Sequence, residues 1–230
     1  MAKKGKLIVI DGTDGSGKAT QTDLLIKRLK KEGKKVKVVD FPEYYSNFFG
    51  KFIGHCLSEQ YYNFLNIHPK IASVLFAADR FESKDKIEKW LKDGNIVIAN
   101  RYASANQIHQ GGKIKNTKKR QAFIEWLAEM EYETLKIPKP DIVFYLSVPT
   151  KTAFELMAKR DKTGSRAYLG KKKDVHEKDK EHMENSRQSA LWLAKTQKNW
   201  VKIDCVKGSE LARPEVIHEE IYSGVKKIIK

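Results

Sequence analysis

The 230-residue chain predicts an α/β domain of three layers, a five-stranded parallel sheet between two layers of helices. Three observations carry that expectation. Short apolar segments alternate with amphipathic ones along the whole length. The segment Ile96-Val97-Ile98-Ala99 is apolar throughout, as a strand buried on both faces requires. A glycine-rich loop sits between the first apolar segment and the first amphipathic one. Such alternation joins parallel strands through helical crossovers on both faces of the sheet.

The elements follow in order. Leu7–Asp11 reads as the first strand. Lys18–Lys31 sets Leu25, Ile26 and Leu29 on one face among lysines, an amphipathic helix that Gly33 stops. Val36–Phe41 is the second strand, ended by Pro42. Ile71, Val74, Leu75 and Ala78 keep helical spacing, continued by Ile87 and Leu91 to a stop at Gly94. Ile96–Ala99 is the third strand, and an aromatic-rich helix covers about Lys118 to Leu135. Asp141–Leu146 is the fourth strand, announced by Pro138 and Pro140, and a helix follows it through Arg160. Residues 161–173 carry Gly164, Gly170 and many cations without apolar periodicity, which predicts a mobile lid over about 160–174. A further helix runs from about Asp174 to Gln197, Val201–Ile203 is the fifth strand, and Ile217, Ile221, Val225 and Ile228 stripe a last helix. Ligands of such sheets bind beyond the carboxyl ends of the strands, so informative residues are expected just after each one.

The loop after the first strand is Gly12-Thr13-Asp14-Gly15-Ser16-Gly17-Lys18-Ala19-Thr20. Its glycines let several N–H groups turn inward around a phosphate, and the following helix adds its positive N-terminus. Lys18 supplies a mobile charge for the outer phosphates of a nucleoside triphosphate. The pattern departs from the usual one at Ala19, where a hydroxyl residue normally binds Mg²⁺. Thr20 is one place later and rotated by about 100° on the helix.

Composition narrows the reading. Hydrophobic residues at 40% and charged ones at 32% fit a globular domain. No apolar run is long enough to span a bilayer, and Met1-Ala2-Lys3-Lys4 leads into a strand, so neither membrane nor secretory signal is expected. Cys56 and Cys205 sit in no metal or redox spacing and read as free thiols of a cytoplasmic protein. The net charge of +16 raises nucleic-acid binding, but the lysines are scattered over many segments and no nucleic-acid module accompanies them.

On one helix, Phe76 and Arg80 are four residues apart and share a face. Taken alone they read as a core ring and an arginine paired with a carboxylate. They also suit a nucleobase, with a ring to stack and a guanidinium to donate to a base carbonyl. Together with the glycine loop, Phe41-Pro42-Glu43-Tyr44, Asp79 beside Arg80, Arg101-Tyr102 and Asn106 occur in one order and spacing. That combination resembles the thymidylate kinase family from about Lys6 to the C-terminal helix.

The resemblance implies a single P-loop kinase domain over residues 1–230 that phosphorylates dTMP to dTDP with ATP and Mg²⁺. It implies that Lys18 and the loop amides from Gly12 to Thr20 hold ATP. It also implies that Asp14 accepts from the sugar 3′-hydroxyl, Phe76 stacks on thymine and Arg80 donates to O4. Asn106 is similar to a residue that bonds the pyrimidine ring, while Arg101 would take the dTMP phosphate, with Phe41 and Tyr44 lining that pocket. His109 falls where some members place a tyrosine against the sugar 2′ position; as a residue on its own it equally fits an exposed histidine. Members without a basic residue between the loop glycines take a catalytic arginine from the lid, which here implies Arg160 or Arg166, ahead of Lys162. Asp174 and Glu177 resemble acids that order the closed site. A homodimer is the family's usual assembly. The alternatives are another P-loop nucleoside or nucleoside monophosphate kinase, or a nucleic-acid-binding ATPase.

Most members read Asp-Arg-Tyr where this chain has Asn100-Arg101-Tyr102, so Asn100 and Ala19 both remove oxygen or charge near the metal. Mg²⁺ keeps several waters, and Asp11, Asp14 or Glu177 could hold it through them. Asn100→Asp is therefore expected to lower the Mg²⁺ concentration that supports half-maximal rate. An unchanged Mg²⁺ titration would refute this.

Overall fold

A computed structural model describes residues 4–58, 64–161, 180–208 and 210–229. Its central sheet holds β1 (Lys6–Asp11), β2 (Val36–Asp40), β3 (Ile96–Asn100), β4 (Ile142–Ser147) and β5 (Trp200–Asp204). All four pairings are parallel, in the order β2-β3-β1-β4-β5. β1 lies at the centre, and Leu7 to Ile10 are fully buried. Period-two alternation divides them: Leu7 and Val9 face one helical layer, Ile8 and Ile10 the other. The edge strands keep exposed apolar residues, Val38 on β2 and Val201 on β5.

One layer is α1 (Lys18–Lys31), α7 (Thr150–Asp161) and the C-terminal α9 (Pro214–Ile228). It buries Leu25, Leu29, Ala153, Met157, Ile217, Ile221 and Val225 against the Ile8 and Ile10 face. The other layer includes α4 (Lys84–Lys92), α5 (Ala103–Ala105, continued as a π-helical stretch Asn106–Gln110), α6 (Thr117–Ala128, continued through Glu129–Thr134) and α8 (Lys180–Thr196). Outside it, α2 (Phe48–Leu57) and α3 (Pro69–Glu82) pack on each other around Ile53, Leu57, Phe64 and Ala72. No helix among the described residues is long and apolar enough to cross a membrane. Both cysteines are buried and unpaired with each other.

The strands and the alternation match the sequence expectation closely. The continuous helix expected up to Gly94 is two helices instead, with Ser83 ending α3 and beginning α4. Ile71 and Val74 do not face the core, being 61% and 50% exposed, while Ala72, Ser73, Ala77, Asp79 and Arg80 are buried. The helix α2 and a short antiparallel hairpin, Val206–Lys207 with Glu210–Leu211, lie beyond what the periodicity shows. Residues 162–179, which hold most of the expected lid with Lys162, Arg166, Asp174 and Glu177, lie outside the described residues.

One buried acid fixes the segment that follows β2. Asp79 is 1% exposed. Its two carboxylate oxygens accept from the Glu43 backbone N–H at 3.3 and 3.2 Å, and Oδ1 accepts from Asn47 Nδ2 at 3.0 Å. This latch holds residues 41–47, including the cis Phe41–Pro42 peptide, against α3. Burial pushes the Asp79 carboxyl from 3.8 to about 6, against the Asn47 hydrogen bond and the Arg80 charge. The folded state thus holds this proton more tightly than the unfolded chain. The resulting loss of stability is absent below about pH 4, grows as pH rises and is complete above about pH 6. Asp79→Asn is therefore expected to gain stability relative to the parent chain as pH rises from about 4 to about 7. Urea midpoints across that range check it, and a pH-independent difference would refute it.

Candidate functional site

The loops at the carboxyl edge of the sheet form two clefts that share a wall. The first, above β1 and α1, is about 530 Å³ and is lined by Asp14 to Thr20, Asp40, Asn100 and Arg101. The second, between α3 and α5, is lined by Phe76, Arg80, Asn106, His109, Pro42, Leu57 and Gln110. Asp14, Phe41, Tyr44 and Arg101 line both.

The glycine loop takes the conformation its sequence calls for. Gly15 and Gly17 have φ of 76° and 86°, values that L side chains rarely adopt. A side chain on Gly15 would also meet the Ala153 carbonyl at 2.4 Å, so the loop can nestle against α7 only with glycine there. Lys18 curls back over the loop and donates to the Gly12 and Thr13 carbonyls at 2.9 and 2.8 Å. Ser16 Oγ is buried without a hydrogen-bond partner in the loop's interior. Asp11, below the loop, is fully buried and accepts from the Gly12 N–H and from Ser104 Oγ. Loss of hydration raises its carboxyl pKa, with Arg101, Ser104 and Lys18 opposing the rise.

Arg101 joins the clefts. It is the residue after β3 and sits at φ 64°, a left-handed conformation uncommon outside glycine. Its Nη2 pairs with Asp14 Oδ1, and its Nη1 lies 3.0 Å from His109 Nε2. Arginine only donates, so His109 accepts through Nε2 and carries its proton on Nδ1. Burial disfavours the Arg101 charge, but Asp14 and Asp11 outweigh it and hold its pKa above the ordinary arginine value. His109 is half-buried and stacks on His182 of α8 at 6.0 Å, so it belongs to the site rather than to an open surface.

In the second cleft, Phe76 is braced edge-to-face on Phe64 at 5.9 Å. Arg80 is 2% exposed and does pair with a carboxylate, Glu131 of α6, while also lining the cleft. The carboxylate pairing expected of Arg80 is thus observed, and the pairing leaves the side chain at the cleft wall. Asn106 is 2% exposed and lines the same cleft. Phe41, 3% exposed, tilts against Tyr102 at 5.7 Å and forms the floor shared with Tyr44. Arg160 lies in the last turn of α7, and Ala19 and Thr20 are exposed at the start of α1.

Sequence reasoning missed Glu131, Ser104, Asp40 and the latching role of Asp79. Glu131 stands between Glu129 and Glu133, and no spacing rule selects which of three alternating acids is buried. Asp40 closes β2 in register with Asn100 and receives a side-chain hydrogen bond from it. Loss of hydration raises the Asp40 carboxyl pKa against Arg101, Asn100 and Lys18. Among the described residues, no group of three or more His, Cys, Asp or Glu side chains is placed to hold a metal ion.

Comparison with known proteins gives one consistent result. A family model described as thymidylate kinase matches residues 10–219. A thymidylate kinase of Thermosipho africanus is 32% identical over 210 residues, covering 91% of this chain and 94% of its own. The Homo sapiens thymidylate kinase is 27% identical over 221 residues, covering 96% of this chain and 89% of its own. Among solved structures, a thymidylate kinase from Candida albicans matches with a TM-score of 0.71 over 97% of this chain and 92% of its own, at 22% identity, a likeness of fold. With the family model spanning the glycine loop, both clefts and four of the five strands in full, this chain belongs to the thymidylate kinase family.

Proposed function

We propose that the cleft over the glycine loop holds the ATP phosphates and that the adjoining cleft holds dTMP, so that the chain phosphorylates dTMP to dTDP as one cytoplasmic domain. The observation that carries this is the shared wall. Asp14, Phe41, Tyr44 and Arg101 line both clefts, so the terminal phosphate of one nucleotide meets the phosphate of the other there. Phosphoryl transfer leaves little covalent work to the protein, and positioning with charge stabilisation dominates.

The residues divide that work. The amides from Gly12 to Thr20 wrap the donor phosphates, and Lys18 moves from its two carbonyl partners to the outer phosphates. Arg101 binds the acceptor phosphate, while Asp14 accepts from the sugar 3′-hydroxyl and steadies Arg101. Phe76 stacks on the base, and Arg80 and Asn106 bond its edge. His109 contacts the sugar beside Arg101. Arg160 and Arg166 supply charge to the transferring group from the lid.

The cleft also fits Mg²⁺, because its available donors are oxygens: the Asp14 and Asp40 carboxylates and the buried, unpartnered Asn100 Oδ1. Asp14 and Glu177, joined by Asp40 and Asn100, would hold the ion through its waters. When bound it neutralises phosphate charge. The ordinary donor is ATP, and neither nucleic acid nor membrane enters this reading.

Coupled assays test the assignment. Purified protein with ATP and Mg²⁺ is expected to consume dTMP and to leave thymidine untouched. Phe76→Ala is expected to raise KM for dTMP by about tenfold with KM for ATP unchanged, as loss of one base–ring stack requires. Lys18→Ala is expected to lower kcat by about a hundredfold or more. An unchanged dTMP KM in the Phe76 variant would overturn the placement of the acceptor.

A homodimer accounts for the outer face of α3. Ile71, Val74 and Phe81 are 61%, 50% and 48% exposed and recur at helical spacing on one stripe. A second copy would cover that stripe and leave the clefts open. Ile71→Glu is expected to halve the mass measured by light scattering while preserving the thermal melt. A monomeric parent chain would refute the dimer.

A further inference from the structure

Two residues that line the second cleft share one buried partner that does not line it. Glu131 is 1% exposed and comes from the π-helical stretch that closes α6. Its Oε2 accepts from Arg80 Nε at 2.7 Å, and its Oε1 accepts from Arg80 Nη2 at 2.8 Å. The same Oε1 accepts from Asn106 Nδ2 at 3.0 Å. The other hydrogen of Asn106 Nδ2 goes to the Ser73 carbonyl of α3 at 3.1 Å. Arg80 and Asn106 both line the cleft, and Glu131 stands behind them.

This arrangement constrains what the two lining residues present. The fork between Glu131 and Arg80 occupies the Nε and Nη2 edge of the guanidinium, which leaves Nη1 as a donor. An ionised carboxylate only accepts, so it turns the Asn106 NH₂ inward, where both hydrogens are used. The Asn106 carbonyl Oδ1 is then the group left to the cleft, and it acts as an acceptor. Neutralising a buried Arg80 would need only the first two contacts. The shared contact to Asn106 links the two residues into one unit.

We propose that Glu131 is a positioning residue that writes the hydrogen-bond pattern of the cleft, a donor from Arg80 beside an acceptor from Asn106. The inference rests on the assignment of this cleft to dTMP. Thymine and uracil present an O4 acceptor next to an N3–H donor, the complement of that pattern. Cytosine presents an amino donor next to an N3 acceptor, so it would set donor against donor and acceptor against acceptor. Rejection by unpaired buried polar groups is the strong form of discrimination. Glu131→Gln replaces an obligate acceptor by a group that also donates, so the Asn106 amide loses its enforced orientation.

The test compares steady-state kinetics with dTMP, dUMP, dCMP and 5-methyl-dCMP for the parent chain, Glu131→Gln and Glu131→Asp. dTMP and 5-methyl-dCMP share their shape and differ in the donor–acceptor pattern, so their kcat/KM ratio reads the pattern itself. The parent is expected to favour dTMP strongly. Glu131→Gln is expected to reduce that ratio by about tenfold or more through KM for dTMP, with KM for ATP unchanged. Glu131→Asp keeps the charge, retracts it, and is expected to fall between the two. If Glu131→Gln does not fold, Glu131→Asp carries the comparison. A parent that uses 5-methyl-dCMP as well as dTMP would overturn the inference, as would folded variants that keep the parental ratio. Phe76→Ala separates the two levels. If it leaves the dTMP KM unchanged, the cleft assignment fails; if it raises that KM while the Glu131 variants keep the ratio, only the role of Glu131 fails.

Discussion

In the proposed function two polyanions occupy neighbouring clefts, and the Arg101–Asp14 pair at their common wall is where their repulsion would be met. Coulomb energy between bare charges a few ångströms apart is several kcal/mol in a partly desolvated site. Arg101 supplies positive charge at that point, and Asp14 fixes its direction. The position itself comes from the sheet. β3 pairs with β1 so that Asn100 lies opposite Ile10, which brings the residue after β3 alongside the start of the glycine loop. The left-handed backbone of Arg101 then turns its side chain across the loop, with its N–H still bonded to the Ile10 carbonyl at 3.0 Å. Strained backbone at such a place is tolerated when the surroundings over-determine it, and here the strand pairing and the ion pair do so.

Behind the clefts stands a layer of buried polar groups whose partners are buried or half-buried. Asp79 pins the segment carrying Phe41 and Tyr44, Glu131 pins Arg80 and Asn106, and Ser104 pins Asp11 under the loop. Such groups add little net stability, since desolvation offsets their attraction. Their effect is orientation: each leaves its partner one direction in which to face. Side chains already oriented in this way lower the ordering cost of any ligand that uses them. Lys18 is the contrast, because it donates to backbone carbonyls of the loop itself, from which, in the proposed function, a phosphate would draw it away.

Most of the scaffold was legible because its signals are local. Continuous apolar runs gave the strands, 3.6-residue periodicity gave α1 and α9, and glycine spacing gave the phosphate loop with its left-handed residues at Gly15 and Gly17. What local signals miss is long-range. Arg80 and Glu131 are 51 residues apart, and Asp79 and Glu43 are 36 apart, so their pairing depends on how helices dock. Periodicity also misleads where an apolar stripe faces outward: Ile71 and Val74 obey helical spacing yet leave the core to Ala72, Ala77 and the polar pair Asp79 and Arg80. The reading of α3 and α4 as one helix failed for a related reason. Apolar spacing runs on through Ser83, where the chain changes direction and the Ser83 hydroxyl bonds Glu43.

The exchange at Asn100 makes sense only together with Asp40. The two residues are in register on adjacent parallel strands, and the Asn100 side chain donates to the Asp40 carboxylate. An acid at position 100 would set two carboxylates side by side at the rim of the glycine-loop cleft, where like charges raise the cost of ionising either one. The amide removes that repulsion and leaves one carboxylate on β2 facing a cleft that already contains Lys18 and Arg101. Negative charge at this rim is therefore carried by the second strand instead of the third. The buried Asn100 Oδ1 is the residue of that exchange: once Nδ2 is given to Asp40, its carbonyl is left without a hydrogen-bond partner among the described residues. A buried acceptor of this kind is costly unless a donor reaches it, and in the proposed function a hydrated cation arriving with the phosphates would supply one.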